Sequence, residues 1–263
     1  MLVFNTFPAW SLPLIGVVAV SAWDDRRDVS PLVRLVVHVG AALAWALGVW
    51  PHAGGLVAAL TVVWGANLFN FMDGSDGLAA LMASVGFGSY AVAVAMTGGN
   101  DFALLASIVG ATLPVLALNW PPARVFLGDT GSVPLGFLAA VLGMQGWRSG
   151  AWPAWFPLFV FLPFIADATV TLARRAWQRK RIWEAHREHS YQRLVQLGAG
   201  HAGTLAIYGT LMVAGASVAL ACLRTASAVP RHGALLALAW LSILLLVFSV
   251  IDFQWRARCT ELR

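Results

Sequence analysis

The sequence predicts an all-α, polytopic integral membrane protein of about nine transmembrane helices. Three observations predict it. Of 263 residues, 59% are hydrophobic and only 11% are charged, against about 25% charged in an ordinary soluble domain. The mean hydropathy is +0.75. Apolar runs near the roughly 20 residues that a helix needs to cross a hydrocarbon core recur along the whole chain.

The runs follow in order. Residues 8–23 end at DDRRDVSP, 32–50 at PHAGG, 56–72 at DGSDG and 78–97 at TGGND. Residues 101–119 end at NWPPARVFLGDTGS, 132–148 at RSGAWP and 153–172 at a long basic loop. Residues 201–223 end at RTASAVPRHG, and 233–254 complete the set. Backbone polar groups cannot stay unpaired in lipid, so each run is expected to be helical. No repeat or second domain is visible, so a single domain over 1–263 is expected.

The charges orient the helices. With nine spans the termini lie on opposite sides. All the Lys and Arg except Arg148, Arg224 and Arg231 then share one side, which the positive-inside rule makes cytoplasmic, with the N-terminus outside. Trp10, Trp50 and Trp147 fall at the outer rim, and Trp23, Trp177 and Trp255 at the inner one. The first seven residues carry no Lys or Arg, so the membrane segments themselves are expected to serve as the targeting signal. The expected location is the inner, cytoplasmic membrane. This reading absorbs the net charge of +5 and the pI of 10.0. It excludes a water-soluble enzyme and leaves no charge-rich face for nucleic acid. Cys222 and Cys259 make neither a disulfide framework nor a metal spacing.

The acids are more informative, because no topology rule requires them. All but Asp101 fall at or near the cytoplasmic side. A carboxylate at the bilayer centre costs about 2.5–3.5 kcal/mol, so acids at helix entries are functional suspects. Four constellations carry them.

Asp24-Asp25 closes the first run. Adjacent carboxylates repel, which raises one pKa unless a cation sits nearby. That suits a base or a metal site; a solvated turn with local Arg pairs is the plainer reading. Asn67-Leu68-Phe69-Asn70-Phe71-Met72-Asp73-Gly74-Ser75-Asp76-Gly77 places polar side chains every three residues, on one helix face. Packing alone explains that poorly, and the Asp spacing excludes an EF-hand loop. Arg124-Val125-Phe126-Leu127-Gly128-Asp129-Thr130-Gly131-Ser132 offers a cation, an isolated carboxylate and a helix start. Asp129 suits Mg²⁺, which takes few carboxylates and fills its shell with water and phosphate. A capped turn is the alternative. In the basic loop, His186 and His189 are spaced to share a helix face. No third zinc ligand is evident, so with Arg187 and Arg193 a phosphate-binding cluster fits better. The upstream ARRAWQRKRIW is read as lying on anionic lipid or simply as a positive-inside loop.

In this order and spacing the motifs resemble the polyprenyl-phosphate N-acetylhexosamine-1-phosphate transferase family (glycosyltransferase family 4). Within it they look like the branch that starts O-antigen chains. NLFNFMDGSDGLA is similar to the family's asparagine-rich aspartate motif, RVFLGDTGS to its Mg²⁺ motif and AHREHSYQRLV to its histidine motif. There His189 keeps the first family histidine, while Tyr191 and Gln192 replace the later pair.

The resemblance implies transfer of a sugar-1-phosphate, expected to be an N-acetylated aminosugar, from a UDP-sugar to undecaprenyl phosphate. UMP is released, and cell-surface polysaccharide or O-antigen synthesis begins. It implies Mg²⁺, with Mn²⁺ as a substitute, held by Asp129 with Asn70 the weaker ligand. Asp24 or Asp25 would deprotonate or orient the lipid phosphate. Asn67, Asp73 and Asp76 would position the nucleotide and the metal shell. His189 with His186 and Arg187 would hold the diphosphate, and Arg124 and Gln192 join the substrate-binding set.

One departure stands out. Family members have ten or eleven spans, with a Pro-Arg-Gly-Gly segment ahead of the paired aspartates. This chain begins about two spans later, a lost hairpin that preserves topology. A start placed too far downstream and a shortened, inactive homologue both remain open. So does a secondary transporter that couples ions through membrane carboxylates. Transport sites, however, lie near the midplane, and these acids lie to one side.

Overall fold

The computed structural model describes residues 8–181, 186–225 and 230–261, and its regular structure there is entirely helical. Residues 182–185 of the basic loop and the side chain of Arg231 lie outside that description. The helices are α1 (Ser11–Arg27), α2 (Pro31–Val49), α3 (Ala53–Met72), α4 (Leu78–Thr97), α5 (Phe102–Asn119) and α6 (Gly128–Arg148). They continue as α7 (Trp155–Val160), α8 (Leu162–Trp177), α9 (Ser190–Leu194), α10 (Gly200–Thr225) and α11 (Pro230–Glu261).

Each of the nine apolar runs is helical. Among the described residues, six helical stretches are long and apolar enough to cross a membrane: α2, α3, α4, α5, Ser190–Arg224 and Gly233–Thr260. One run departs from a simple helix. Residues 153–172 fold as α7 and α8, broken at Phe161. Pro157 and Pro163 both lack an N–H, and Pro163 sits in the first turn of α8, where none is needed. α10 is preceded by α9 and a π-helical turn at Val195–Ala199.

The helices group into two compact units. In the first, α3 packs against α2 and α6, and α1 packs against the same two helices. Lipid tails are as apolar as leucine, so burial does not drive such packing; close backbone approach does. Gly65 and Gly136 supply it. A Cβ on Gly65 would lie 2.8 Å from the Gly136 carbonyl oxygen, and one on Gly136 would strike the Gly65 carbonyl. Ser30 caps α2, its Oγ accepting the Val33 N–H at 3.4 Å, and Pro31 follows at the first helical position. At the opposite end Trp50 stacks on Trp147 with centroids 5.1 Å apart, and the Arg148 guanidinium lies over the Trp50 ring. Leu32, Val36, Leu47, Leu56, Val57 and Leu60 are exposed, an outer surface suited to lipid.

In the second unit α4 packs against α5 and α10, and α10 against α11. Tyr90 is fully buried and stacks on Trp152 at 4.8 Å. Ser84 donates to Thr112 at 3.0 Å, joining α4 to α5 through two hydroxyls that each also bond a carbonyl of their own helix.

Candidate active site

In the first unit the acids of three separate motifs converge. Asp24 and Asp25 end α1, Asn70 and Asp73 end α3, and Asp129 opens α6. Arg34, in the first turns of α2, joins them. Its Nη1 donates to Asp24 Oδ2 at 2.5 Å and to Asp129 Oδ2 at 2.7 Å. Asp24 Oδ1 also accepts the Val29 N–H at 2.7 Å. The other oxygen of Asp129 accepts from Asn70 Nδ2 at 2.5 Å.

Asp25 turns the other way, to the start of α6. It accepts the N–H groups of Asp129 and Thr130, each at 3.0 Å, and the Thr130 hydroxyl at 2.5 Å. A helix start leaves free N–H groups, and here a carboxylate from another helix takes two of them. Gly128 makes this approach possible. Its φ is +61°, and a Cβ would lie 2.9 Å from Asp25 Oδ2.

The expected repulsion within the Asp24-Asp25 pair is therefore relieved, because each carboxylate has its own partners. Asp73 carries the residual strain. Burial, then the charges of Asp129 and Asp25, push its carboxyl up to about 7. One guanidinium thus faces an excess of carboxylates, and that excess favours a cation. Among the described residues no group of three or more His, Cys, Asp or Glu is placed to hold a metal unaided. The donor set instead fits Mg²⁺ bound through one or two carboxylates, with water and phosphate completing its shell. Each Asp129 oxygen keeps a further lone pair. Asn67, expected beside Asn70, spends its amide N–H on the Val63 carbonyl of its own helix at 2.8 Å.

The second unit holds the remaining candidates. Asp76 Oδ2 accepts the Ala123 N–H at 3.0 Å, and its Oδ1 lies 3.2 Å from His201 Nδ1. His201 Nδ1 is also 3.2 Å from Ser75 Oγ and from the Asp76 N–H. Asn119 Oδ1 accepts the Gly77 N–H and its Nδ2 donates to the Val125 carbonyl, both at 2.7 Å. The turn after Asp76 is thereby tied to the loop carrying Arg124, whose side chain is exposed.

The His186 and His189 rings do meet, with centroids 4.9 Å apart, but not on a shared helix face as expected. His186 lies in the approach to α9, and His189 is the residue that caps it. Gln192 accepts the His189 N–H at 3.2 Å, completing a reciprocal cap. Burial, then His189 and Arg175, hold His186 down at about 4, so it is neutral and not a phosphate-binding cation. Arg193 is committed as well, donating to Asp252 at 2.6 Å with its guanidinium over Trp255. Glu188 pairs with Arg175 at 2.6 Å and Lys180 at 3.0 Å. Burial opposes its ionisation, but these cations outweigh that and hold the carboxyl below its usual range. Arg187 keeps an exposed side chain.

Sequence reasoning missed Arg34, Thr130, Asn119 and His201. Arg34 counted only as an inside charge, and His201 lies in none of the four constellations. The partners of both lie far away in the chain, so no local pattern marks them.

Comparison with known proteins shows the family. Residues 7–146 match the model of the glycosyl transferase family 4. The chain belongs to that family and is a polytopic membrane protein. It is 28% identical over 205 residues to a probable undecaprenyl-phosphate N-acetylglucosaminyl 1-phosphate transferase of Bacillus subtilis, covering 70% of this chain and 57% of that protein. It is 30% identical over 205 residues to the undecaprenyl-phosphate alpha-N-acetylglucosaminyl 1-phosphate transferase of Yersinia pestis, covering 69% and 56%. A phospho-N-acetylmuramoyl-pentapeptide-transferase of Geobacillus kaustophilus is 39% identical over 115 residues, covering 41% and 33%. The chain thus spans little more than half the length of the first two.

Proposed function

We propose that the protein transfers a sugar-1-phosphate from a UDP-sugar to undecaprenyl phosphate, releasing UMP. A phosphate oxygen of the lipid attacks the sugar-linked phosphorus of the nucleotide. The bond from that phosphorus to the bridging oxygen breaks, and UMP leaves with the oxygen. One diphosphate linkage replaces another, so no further energy source is needed. The observation that carries the reading is the convergence of Asp24, Asp25, Asn70, Asp73 and Asp129, with Arg34 bridging Asp24 and Asp129.

The residues divide the work. Asp129, with Asn70 and Asp73, would hold Mg²⁺, Mn²⁺ serving as a substitute. When bound, the ion neutralises and polarises the diphosphate. Asp25 fixes the first turn of α6 and so aims Asp129. Arg34 keeps Asp24 and Asp129 together, and Asp24 faces the lipid phosphate. Arg124 and Arg187, both exposed, would supply cations for the nucleotide phosphates, and Asp76 shapes the turn joined to the Arg124 loop. His189 and its neighbour His186 offer ring nitrogens to the diphosphate. Gln192 serves the set indirectly, by capping α9.

An N-acetylated aminosugar is the proposed cargo, and initiation of O-antigen or another surface polysaccharide the proposed role. The site would face the cytoplasm from the inner membrane, since the basic residues gather at that end. The test is UMP release by membranes given undecaprenyl phosphate and a panel of UDP-sugars, with and without Mg²⁺. Release that needs lipid, sugar nucleotide and metal together is expected. Sugar uptake into vesicles without sugar-lipid formation would overturn the reading in favour of a transporter.

A further inference from the structure

We propose that Asp167 is a positioning residue for the histidine segment, acting through His189. The inference rests on the proposed function for what His189 does, but not for how it is held.

Asp167 lies on α8 and is 1% exposed. A carboxylate buried in a membrane helix bundle is costly unless donors surround it. Here they come from three helices. Oδ1 accepts the Ser190 N–H at 2.7 Å and the Thr171 hydroxyl at 3.2 Å. Oδ2 accepts the Tyr191 N–H at 3.1 Å and the Tyr208 hydroxyl at 2.5 Å. His189 Nδ1 lies 3.6 Å from Oδ1. One side chain of α8 therefore gathers the start of α9 and the side of α10.

α9 needs such a hub. It has five residues, too few to be stable alone. Its first N–H groups require acceptors, and Asp167 takes two of them. The residue capping that start is His189, whose ring is 2% exposed and stacks beside Tyr191 at 5.8 Å. The loop before it arrives from α8 without regular structure in its described part. The orientation of His189 is accordingly fixed at the α9 end, and Asp167 is what the α9 backbone grips. Packing alone would call for an apolar residue here; a carboxylate also sets a charge beside the imidazole.

The test uses the full chain in lipid nanodiscs, comparing D167N, H189A, the double variant and Y208F with wild type. Asparagine keeps the shape but turns one acceptor into a donor facing the Tyr191 N–H. D167N is expected to melt within a few degrees of wild type yet lose at least tenfold in kcat, with KM for the lipid phosphate unchanged. The double variant is expected to be no slower than H189A, because both changes strike one device. Y208F, losing one of four donors, is expected to fall between wild type and D167N. Wild-type turnover in D167N, losses that multiply in the double variant, or a loss that merely tracks the unfolded fraction would each overturn the proposal. A wild-type protein that releases no UMP would instead sink the proposed function. The ¹⁵N-histidine spectrum then decides for Asp167. The resonance removed by H189A is expected to shift in D167N, and an unshifted one overturns the proposal.

Discussion

Asp25 accepts the backbone N–H of Asp129 at 3.0 Å, so a carboxylate ending α1 caps the helix that carries the proposed metal ligand. They lie 104 positions apart in the sequence, yet the aim of one depends on the other. Asp25→Ala removes an acceptor shared by two N–H groups and a hydroxyl. It should cost about 1 kcal/mol, as the loss of a good cap does, and lower turnover at least tenfold. Asp25→Asn, which keeps one acceptor oxygen, should fall between. Melting curves and UMP release on the same samples check both.

Arg34 bridges Asp24 and Asp129, so its removal leaves two carboxylates facing each other. Arg34→Met should reduce UMP release by about a hundredfold, the scale on which lost positioning acts. Arg34→Lys should recover only part, since the shorter lysine does not reach the point where Arg34 Nη1 meets both carboxylates. Initial rates at saturating Mg²⁺ report the difference.

The Gly65–Gly136 contact sets how closely α3 and α6 approach, and those helices carry Asn70 and Asp129. Gly136→Val should destabilise the fold by about 1–3 kcal/mol, as overpacking does. Activity should fall with it, although no charged group is touched. Thermal unfolding in detergent gives the shift.

His201 holds the turn at Ser75 and Asp76. His201→Ala should raise KM for the UDP-sugar about fivefold, the effect of losing one hydrogen bond worth about 1 kcal/mol. kcat should change little. A fall in kcat with unchanged KM would contradict that positioning role.

Much of this was legible in the sequence, and the remainder was hidden for physical reasons. Hydropathy located the helical runs because lipid imposes length and apolarity on each segment locally, and six described stretches are long and apolar enough to cross. It did not locate the break at Phe161 or the α9 cap, because those depend on donors and acceptors from other helices. Motif spacing identified Asp24, Asp25, Asp73 and Asp129 as a set, and the fold brings all four into one unit. Asn67 was expected on the same helix face as Asn70, but its amide bonds its own helix while that of Asn70 reaches Asp129. A period of three residues cannot distinguish those outcomes. The histidine spacing suggested a shared helix face in a phosphate-binding cluster; burial makes His186 neutral, and His189 sits at the start of α9 as its cap. Arg34 had no signal at all, since an arginine near a helix start is common on the inner side of any membrane protein.

The central claim is that carboxylates from separate helices hold a divalent ion between two phosphorylated reactants, with Asp129 foremost. UMP release by Asp129→Ala in nanodiscs, at saturating Mg²⁺ with undecaprenyl phosphate and UDP-sugar, tests it most directly. The account predicts release no higher than the no-lipid control from protein that still melts cooperatively. Turnover near that of wild type would contradict it.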